Sequence, residues 1–213
     1  GTNSTYKTVN FMKKVESLPL SGYLVVVPYY NKPPQEGMFR HFKAIAESTD
    51  LPVMLYNVPS RTSSNLLPET VERLAQIKNI NSIKEASGSM DQVSELRERL
   101  PEFTVYSGDD SITLPMLSLG CSGVVSVASH LVGKEIKAMV EKFFSKDYQG
   151  ALAIHLHLFK LFKTLFITTN PIPVKTALNQ QGWNLGGFRL PLVNPSPQEE
   201  DLIKNMLMEY GLK

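Results

Sequence analysis

Lys84 ends the apolar run Ile80-Asn-Ser-Ile-Lys84. Taking an ammonium out of water disfavours its charged form, and a lysine held partly neutral is a nucleophile toward a ketone. A lysine at a strand end also snorkels outward to pair with a neighbour such as Glu85, and position alone leaves both readings open. Tyr56 likewise closes Pro52-Val-Met-Leu-Tyr56. A phenol there can pass protons between an imine nitrogen, a carbinolamine hydroxyl and solvent, or simply pack as a core aromatic with a satisfied hydroxyl. Arg61, in the loop Pro59-Ser-Arg-Thr62, is either a two-pronged clamp for a substrate carboxylate or a solvated surface residue. Tyr29 and Tyr30 follow the most hydrophobic run and offer a hydroxyl at the mouth of a site, an aromatic surface at a subunit contact, or plain packing.

These residues need elements to bring them together. Short β-branched runs recur: Gly22-Tyr-Leu-Val-Val-Val-Pro28, Pro52 to Tyr56, Ile80 to Lys84, Phe103-Thr-Val-Tyr-Ser107 and Gly123-Val-Val-Ser-Val127. Each reads as a buried strand. Helical periodicity fills the gaps, over Gly37 to Ser48, Pro68 to Ile77, Met90 to Leu100 and Ser111 to Leu119, the last preceded by capping candidates Asp109 and Asp110. Strand and helix alternate at the spacing of βα units, which predicts a parallel sheet covered on both faces. After Val127 only helices are suggested, at 133–144, 147–168, 172–181 and 197–211. The first completes the last βα unit and the others form a helical appendix, so the expected division is 1–145 and 146–213. Active sites of βα proteins gather at the carboxyl ends of the strands. There the chain collects Tyr56-Asn57, Lys84-Glu85 and Ser107-Gly108-Asp109-Asp110.

Composition narrows the class. The 213 residues are 42% hydrophobic and 20% charged, with a formal net charge of +2 that is spread rather than clustered. That argues against a nucleic-acid partner. One cysteine, Cys121, excludes an internal disulfide and reads as a small buried hydrophobe. No zinc spacing occurs, and His155 and His157, two apart on an expected helix, face different ways and read as structural rather than as metal ligands. Trp183 reads as packing in the appendix. The apolar runs fall short of a membrane span and the first residues resemble no export signal, so a cytoplasmic protein is expected. Neither Gly-x-Gly-x-x-Gly nor Gly-Lys-Ser/Thr is present, which removes most of the case for a nucleotide site.

Taken in order, Pro28-Tyr-Tyr-Asn-Lys-Pro33, Leu55-Tyr-Asn-Val-Pro-Ser-Arg-Thr62, Ile83-Lys-Glu-Ala-Ser-Gly88, Ser107-Gly-Asp-Asp110, Gly123-Val-Val-Ser-Val127 and Asn170-Pro-Ile-Pro-Val-Lys175 resemble the 4-hydroxy-tetrahydrodipicolinate synthase family of Schiff-base pyruvate aldolases. The resemblance runs almost the length of the chain. It implies a TIM (β/α)8-type barrel with a C-terminal helical domain, acting as a lyase that joins pyruvate to L-aspartate 4-semialdehyde in the diaminopimelate route to lysine, with no cofactor beyond the covalent imine. By that resemblance Lys84 forms the imine, Tyr56 relays protons and Arg61 receives the carboxylate of the aldehyde. Tyr30 would reach across a tight dimer to complete the partner's relay, which requires a homo-oligomer, in this family a dimer of dimers. The Val125 carbonyl and Gly108 would line the pyruvate pocket. The family's feedback glutamate is replaced near Lys7, which implies weak inhibition by lysine. The loop carrying Arg61 separates this reading from a related sugar-acid aldolase such as N-acetylneuraminate lyase.

Only about five of the eight strands that such a barrel needs can be counted. Aligned with the family, Gly1-Thr2 falls at the end of the third strand, and the paired threonines expected on the second have no counterpart. A shortened barrel serving as an interaction module is therefore the alternative of a different class.

Overall fold

The computed structural model describes residues 1–212, which fall into two compact units, Gly1–Val125 and a second from Ser126 onward. The first opens on helix α1 (Thr5–Val15), whose start is fixed by the Ser4 hydroxyl accepting from the Lys7 N–H. No element was expected there, because polar and basic residues interrupt its apolar positions. Strand β1 (Tyr23–Val26) and helix α2 (Gln35–Ala46) follow, then β2 (Val53–Asn57), the single turn α3 (Pro59–Thr62) and α4 (Pro68–Leu74). Strand β3 (Ile80–Glu85), α5 (Met90–Arg99), β4 (Thr104–Ser107), a 3-10 turn (Asp110–Ile112), α6 (Thr113–Ser118) and β5 (Gly123–Val124) complete the unit. The segment around Arg61, expected as a loop, is a helical turn: Pro59 at its start fixes a helical φ, and the Arg61 and Thr62 N–H groups donate to the Val58 carbonyl.

The five strands form one parallel sheet in the order β1-β2-β3-β4-β5. Strand period dictates what each face carries. Val25, Leu55, Ile83 and Val105 stand side by side in register, all buried, and join Phe42, Ile45, Val71, Leu74, Val93 and Leu96 of the helices in one core. In α2 the buried Met38, Phe42 and Ile45 recur at the spacing of one helix face, which is why that helix lies on the sheet. One residue along, Val26, Tyr56, Lys84, Tyr106 and Gly123 align on the opposite face.

The second unit is helical: α7 (Ser129–Phe144), α8 (Tyr148–Thr164), α9 (Ile172–Gln180) and α10 (Pro197–Glu209). Helix α7 packs on α8 and α9, and α10 packs on α8 and α9. By contact α7 thus belongs with these helices, and the units divide after Val125 rather than at the expected 145/146. Helix α10 begins with a reciprocal Ser196 and Glu199 capping box and Pro197 at its first position. His155 is buried and His157 lies against the Tyr210 ring, on different sides of α8. Trp183, expected to pack, is 67% exposed: it follows the turn at Gly182, where the chain has left α9. Cys121 is buried, as its apolar surroundings require. No helix among the described residues is long and apolar enough to cross a membrane.

Candidate active site at the strand ends

Lys84 is the penultimate residue of β3 and projects from the face opposite the helix-covered core. Parallel register places Tyr56 of β2 on one side and Tyr106 of β4 on the other. The ammonium lies 4.3 Å from the centre of the Tyr56 ring, within range of the attraction between a cation and an aromatic face. Partial burial is the main influence on both groups. It lowers the Lys84 pKa from the ordinary 10.5 and raises that of the Tyr56 phenol from 10.0. The Arg61 guanidinium lowers both, and the buried Asp110 carboxylate opposes the fall at Lys84. Desolvation leads, so the amine gives up its proton more readily than a lysine in water.

The alternative in which Lys84 pairs with Glu85 is not what the structure shows. Successive side chains leave a strand on opposite faces, so Glu85 points to the helix side while Lys84 points away from it. The Glu85 carboxylate is instead occupied by the amides of Asn57 and Gln92 and the Ser87 N–H.

Gly108, just past β4, leaves room for the lysine stem. A Cβ at this position would sit 2.9 Å from Lys84 Cε and 2.8 Å from the Ala86 Cβ, closer than carbon atoms tolerate, and 3.1 Å from Lys84 Cγ, which is itself a tight contact. Its N–H donates to the Glu85 carbonyl at 2.8 Å, and the Val125 N–H donates to the Ser107 carbonyl at 2.8 Å, so both continue the ladder beyond the regular strands. Arg61 is exposed on α3, one turn past Tyr56. Tyr30 stands apart, 88% exposed with a positive φ of 73°, and its N–H donates to the Thr62 carbonyl of the Arg61 turn at 3.2 Å. Lys84, Tyr56, Gly108 and Arg61 thus form one neighbourhood, whereas the Tyr30 side chain extends into solvent.

Three features beside Lys84 emerge only in the structure. Asp109 and Asp110 are both expected as caps; Asp109 does the capping, accepting from the Ser111 N–H at 2.8 Å, while Asp110 is buried and faces Lys84 electrostatically. Tyr106 flanks Lys84 from β4, as the alternation in Thr-Val-Tyr-Ser would have indicated. The third is a buried polar layer behind the lysine, formed by Asn57, Asn65, Glu85 and Gln92. Among the described residues no cluster of three or more His, Cys, Asp or Glu side chains is placed to hold a metal.

Consecutive parallel βα units with a partly desolvated lysine at the carboxyl rim define a class of α/β protein suited to imine chemistry at the strand ends. The dihydrodipicolinate synthetase family matches residues 1–210, and the chain belongs to that family. It is 54% identical over 213 residues to the 4-hydroxy-tetrahydrodipicolinate synthase of Synechococcus sp. (strain JA-2-3B'a(2-13)), covering all of this chain and 70% of that protein. Against the synthase of Thermosynechococcus vestitus it is 56% identical over 214 residues, with 72% of the relative covered. Crystal structures agree: DHDPS from Cyanidioschyzon merolae with lysine bound superposes with a TM-score of 0.97 at 47% identity, and dihydrodipicolinate synthase from Aquifex aeolicus with 0.97 at 44%. Each comparison covers the whole of this chain and 73% of the other. The five parallel strands described above are therefore part of a TIM barrel.

Proposed function

We propose that this chain is a lyase that condenses pyruvate with L-aspartate 4-semialdehyde to 4-hydroxy-tetrahydrodipicolinate, in the diaminopimelate route to lysine. The observation that carries the chemistry is the partly buried Lys84 amine against the Tyr56 ring, with its pKa depressed chiefly by desolvation. The amine attacks the ketone carbon of pyruvate and forms a carbinolamine, which loses water to leave an iminium. That cation is an electron sink, so the methyl group gives up a proton and the resulting enamine forms a carbon–carbon bond to the aldehyde, whose oxygen takes up a proton. Attack of the substrate's own amino group on the iminium carbon then closes the ring and returns the free Lys84 amine. No step draws on a metal or an organic cofactor.

In this reading the residues divide the work as the family resemblance implies. The Tyr56 hydroxyl transfers protons to and from the carbinolamine and the aldehyde oxygen. Arg61, exposed at the rim, holds the carboxylate of the incoming aldehyde in a bidentate pair. Gly108 and the Val125 carbonyl bound the pocket beside the lysine. Tyr30, extended into solvent, acts in a partner copy's relay, and the working form is a homo-oligomer, a dimer of dimers. The names of the relatives and their identity over the whole chain support this substrate pair.

Borohydride reduction in the presence of pyruvate tests the reading directly. The expected result is a reduced pyruvate adduct on the peptide containing Lys84, absent without pyruvate and absent in Lys84→Met. A folded chain with no adduct, or with the adduct on another lysine, refutes it.

A further inference from the structure

Behind the amine lies a second device that the imine chemistry does not use. Glu85 is 1% exposed, and the groups bonded to its carboxylate are uncharged donors: the amides of Asn57 and Gln92, the Ser87 N–H and the Ser87 hydroxyl. The Ser87 N–H donates to Oε1 at 2.6 Å, the Asn57 amide to both oxygens at 3.3 and 3.1 Å, and the Gln92 amide to Oε2 at 3.2 Å. The donors are themselves engaged. Asn57 also donates to Asn65 Oδ1 at 2.8 Å and accepts from the Leu66 N–H at 3.0 Å, while Asn65 donates to Gln92 Oε1 at 2.8 Å. A closed polar layer of this kind specifies one arrangement, because any displacement leaves buried groups unpaired.

Its members belong to the elements that carry the candidate site. Asn57 follows Tyr56 on β2, Glu85 follows Lys84 on β3, and Gln92 stands in the first turn of α5. Asn57 and Glu85 are also partners in the sheet register, as are Tyr56 and Lys84. One face of this strand pair therefore holds the amine and the phenol, and the other holds a clamp joining the residues immediately after them.

We propose that Glu85 is a positioning residue: it acts as the acceptor hub of a buried clamp that holds the ends of β2 and β3 so that the Lys84 amine and the Tyr56 phenol stay apposed for imine formation. The inference rests on the imine reading above and goes beyond it. Glu85 touches no reacting atom and works through the two residues that do.

Glu85→Gln replaces one acceptor oxygen with an NH2 group facing the Asn57 and Gln92 amides, donor against donor. The double variant Asn57→Asp with Glu85→Gln exchanges the roles. The new amide on β3 then donates to the new carboxylate on β2, the Leu66 N–H keeps its acceptor, and the Asn65 and Gln92 amides turn to satisfy the rest, with one negative charge retained. Pyruvate-dependent borohydride trapping at saturating pyruvate, with circular dichroism to establish folding, reads both variants. Glu85→Gln should lower the saturating rate on the order of tenfold to a hundredfold, as loss of supporting partners does elsewhere, and leave the half-saturating pyruvate concentration within about threefold. The double variant should recover most of that rate.

A folded Glu85→Gln chain that traps at the unmodified rate overturns the proposal, as does a folded double variant no faster than the single one. Should Glu85→Gln fail to fold, the double variant carries the test alone, and its failure to fold refutes the donor and acceptor accounting. Absence of an adduct in the unmodified chain removes the imine reading itself, and is distinguished by being read before any substitution.

Discussion

Substituting Gly108 by alanine adds one methyl group and so isolates the steric claim about the lysine stem. The glycine holds no left-handed conformation that would resist a side chain, so any effect arises from space. The added carbon meets Lys84 Cε at 2.9 Å, Lys84 Cγ at 3.1 Å and Ala86 Cβ at 2.8 Å, where ordinary carbon contacts begin near ~3.5 Å. Two of these atoms belong to a flexible side chain, but Ala86 is fixed by its N–H bond to the Asn57 carbonyl at 2.8 Å. Relief therefore comes mostly from displacing Lys84, with the remainder taken up by backbone. Overpacking of this kind costs about 1–3 kcal/mol, or about 4 °C in melting temperature for each kcal/mol in a domain of this size. Displacing the amine from its place over the Tyr56 ring by about 1 Å is expected to lower the borohydride trapping rate on the order of a hundredfold. Scanning fluorimetry and trapping kinetics on Gly108→Ala read the two effects separately. A variant that melts and traps like the unmodified chain refutes the claim that Gly108 makes room for the lysine.

Further outcomes follow from the same geometry. Tyr56→Phe retains the ring beside the ammonium and removes only the hydroxyl, so the fold should be unchanged while turnover measured by product formation falls by about 10²–10⁴; unaltered turnover excludes the phenol from proton transfer. Arg61→Lys keeps the charge but not the two-pronged geometry, and should raise KM for the aldehyde about tenfold while pyruvate trapping stays near normal. The trapping rate should rise with pH to a midpoint below the ordinary lysine value of 10.5, since desolvation favours the neutral amine. By the same linkage, a lysine of depressed pKa contributes its full stability only above 10.5 and loses it as pH falls through the folded-state value. Lys84→Met should then be more stable than the unmodified chain at neutral pH; equal denaturation midpoints would contradict the desolvation argument. The family resemblance puts Lys7 near the position of a feedback glutamate and so implies weak inhibition of turnover by free lysine; strong inhibition in a steady-state assay would show otherwise.

What the sequence disclosed was periodic, and what it concealed was not. Five β-branched runs marked five strands, and the run from Ile80 to Lys84 put the amine at a strand end, where β3 has it. Helix α1 stayed hidden because only Thr8 and Met12 are buried along it, too few to mark a face. The turn at Arg61 is four residues long, below the length at which periodicity carries a signal. Of the two capping candidates Asp109 caps and Asp110 turns inward, a choice the sequence leaves open because both are equally good caps on paper and only the fold decides between them. The polar layer was out of reach for a different reason. Its members come from positions 57, 65, 85 and 92, and polar residues that satisfy one another inside a fold look in the sequence like polar residues at its surface.

The pair Lys84-Glu85 shows how much depends on strand period. Opposite charges adjacent in a chain invite the expectation that they neutralise each other, and a lysine so paired would hold its proton more tightly. A strand prevents this by turning consecutive side chains to opposite faces. The amine is left with aromatic neighbours and a desolvation that outweighs the Asp110 carboxylate and lowers its affinity for a proton, while the Glu85 carboxylate is enclosed on the far side among uncharged donors. Burial raises the Glu85 pKa and those donors oppose the rise, so the clamp itself is sensitive to protonation, because a proton on Glu85 sets a donor against donors. Two groups that would cancel in a loop or at a helix surface are separated by the sheet, one to react and one to hold.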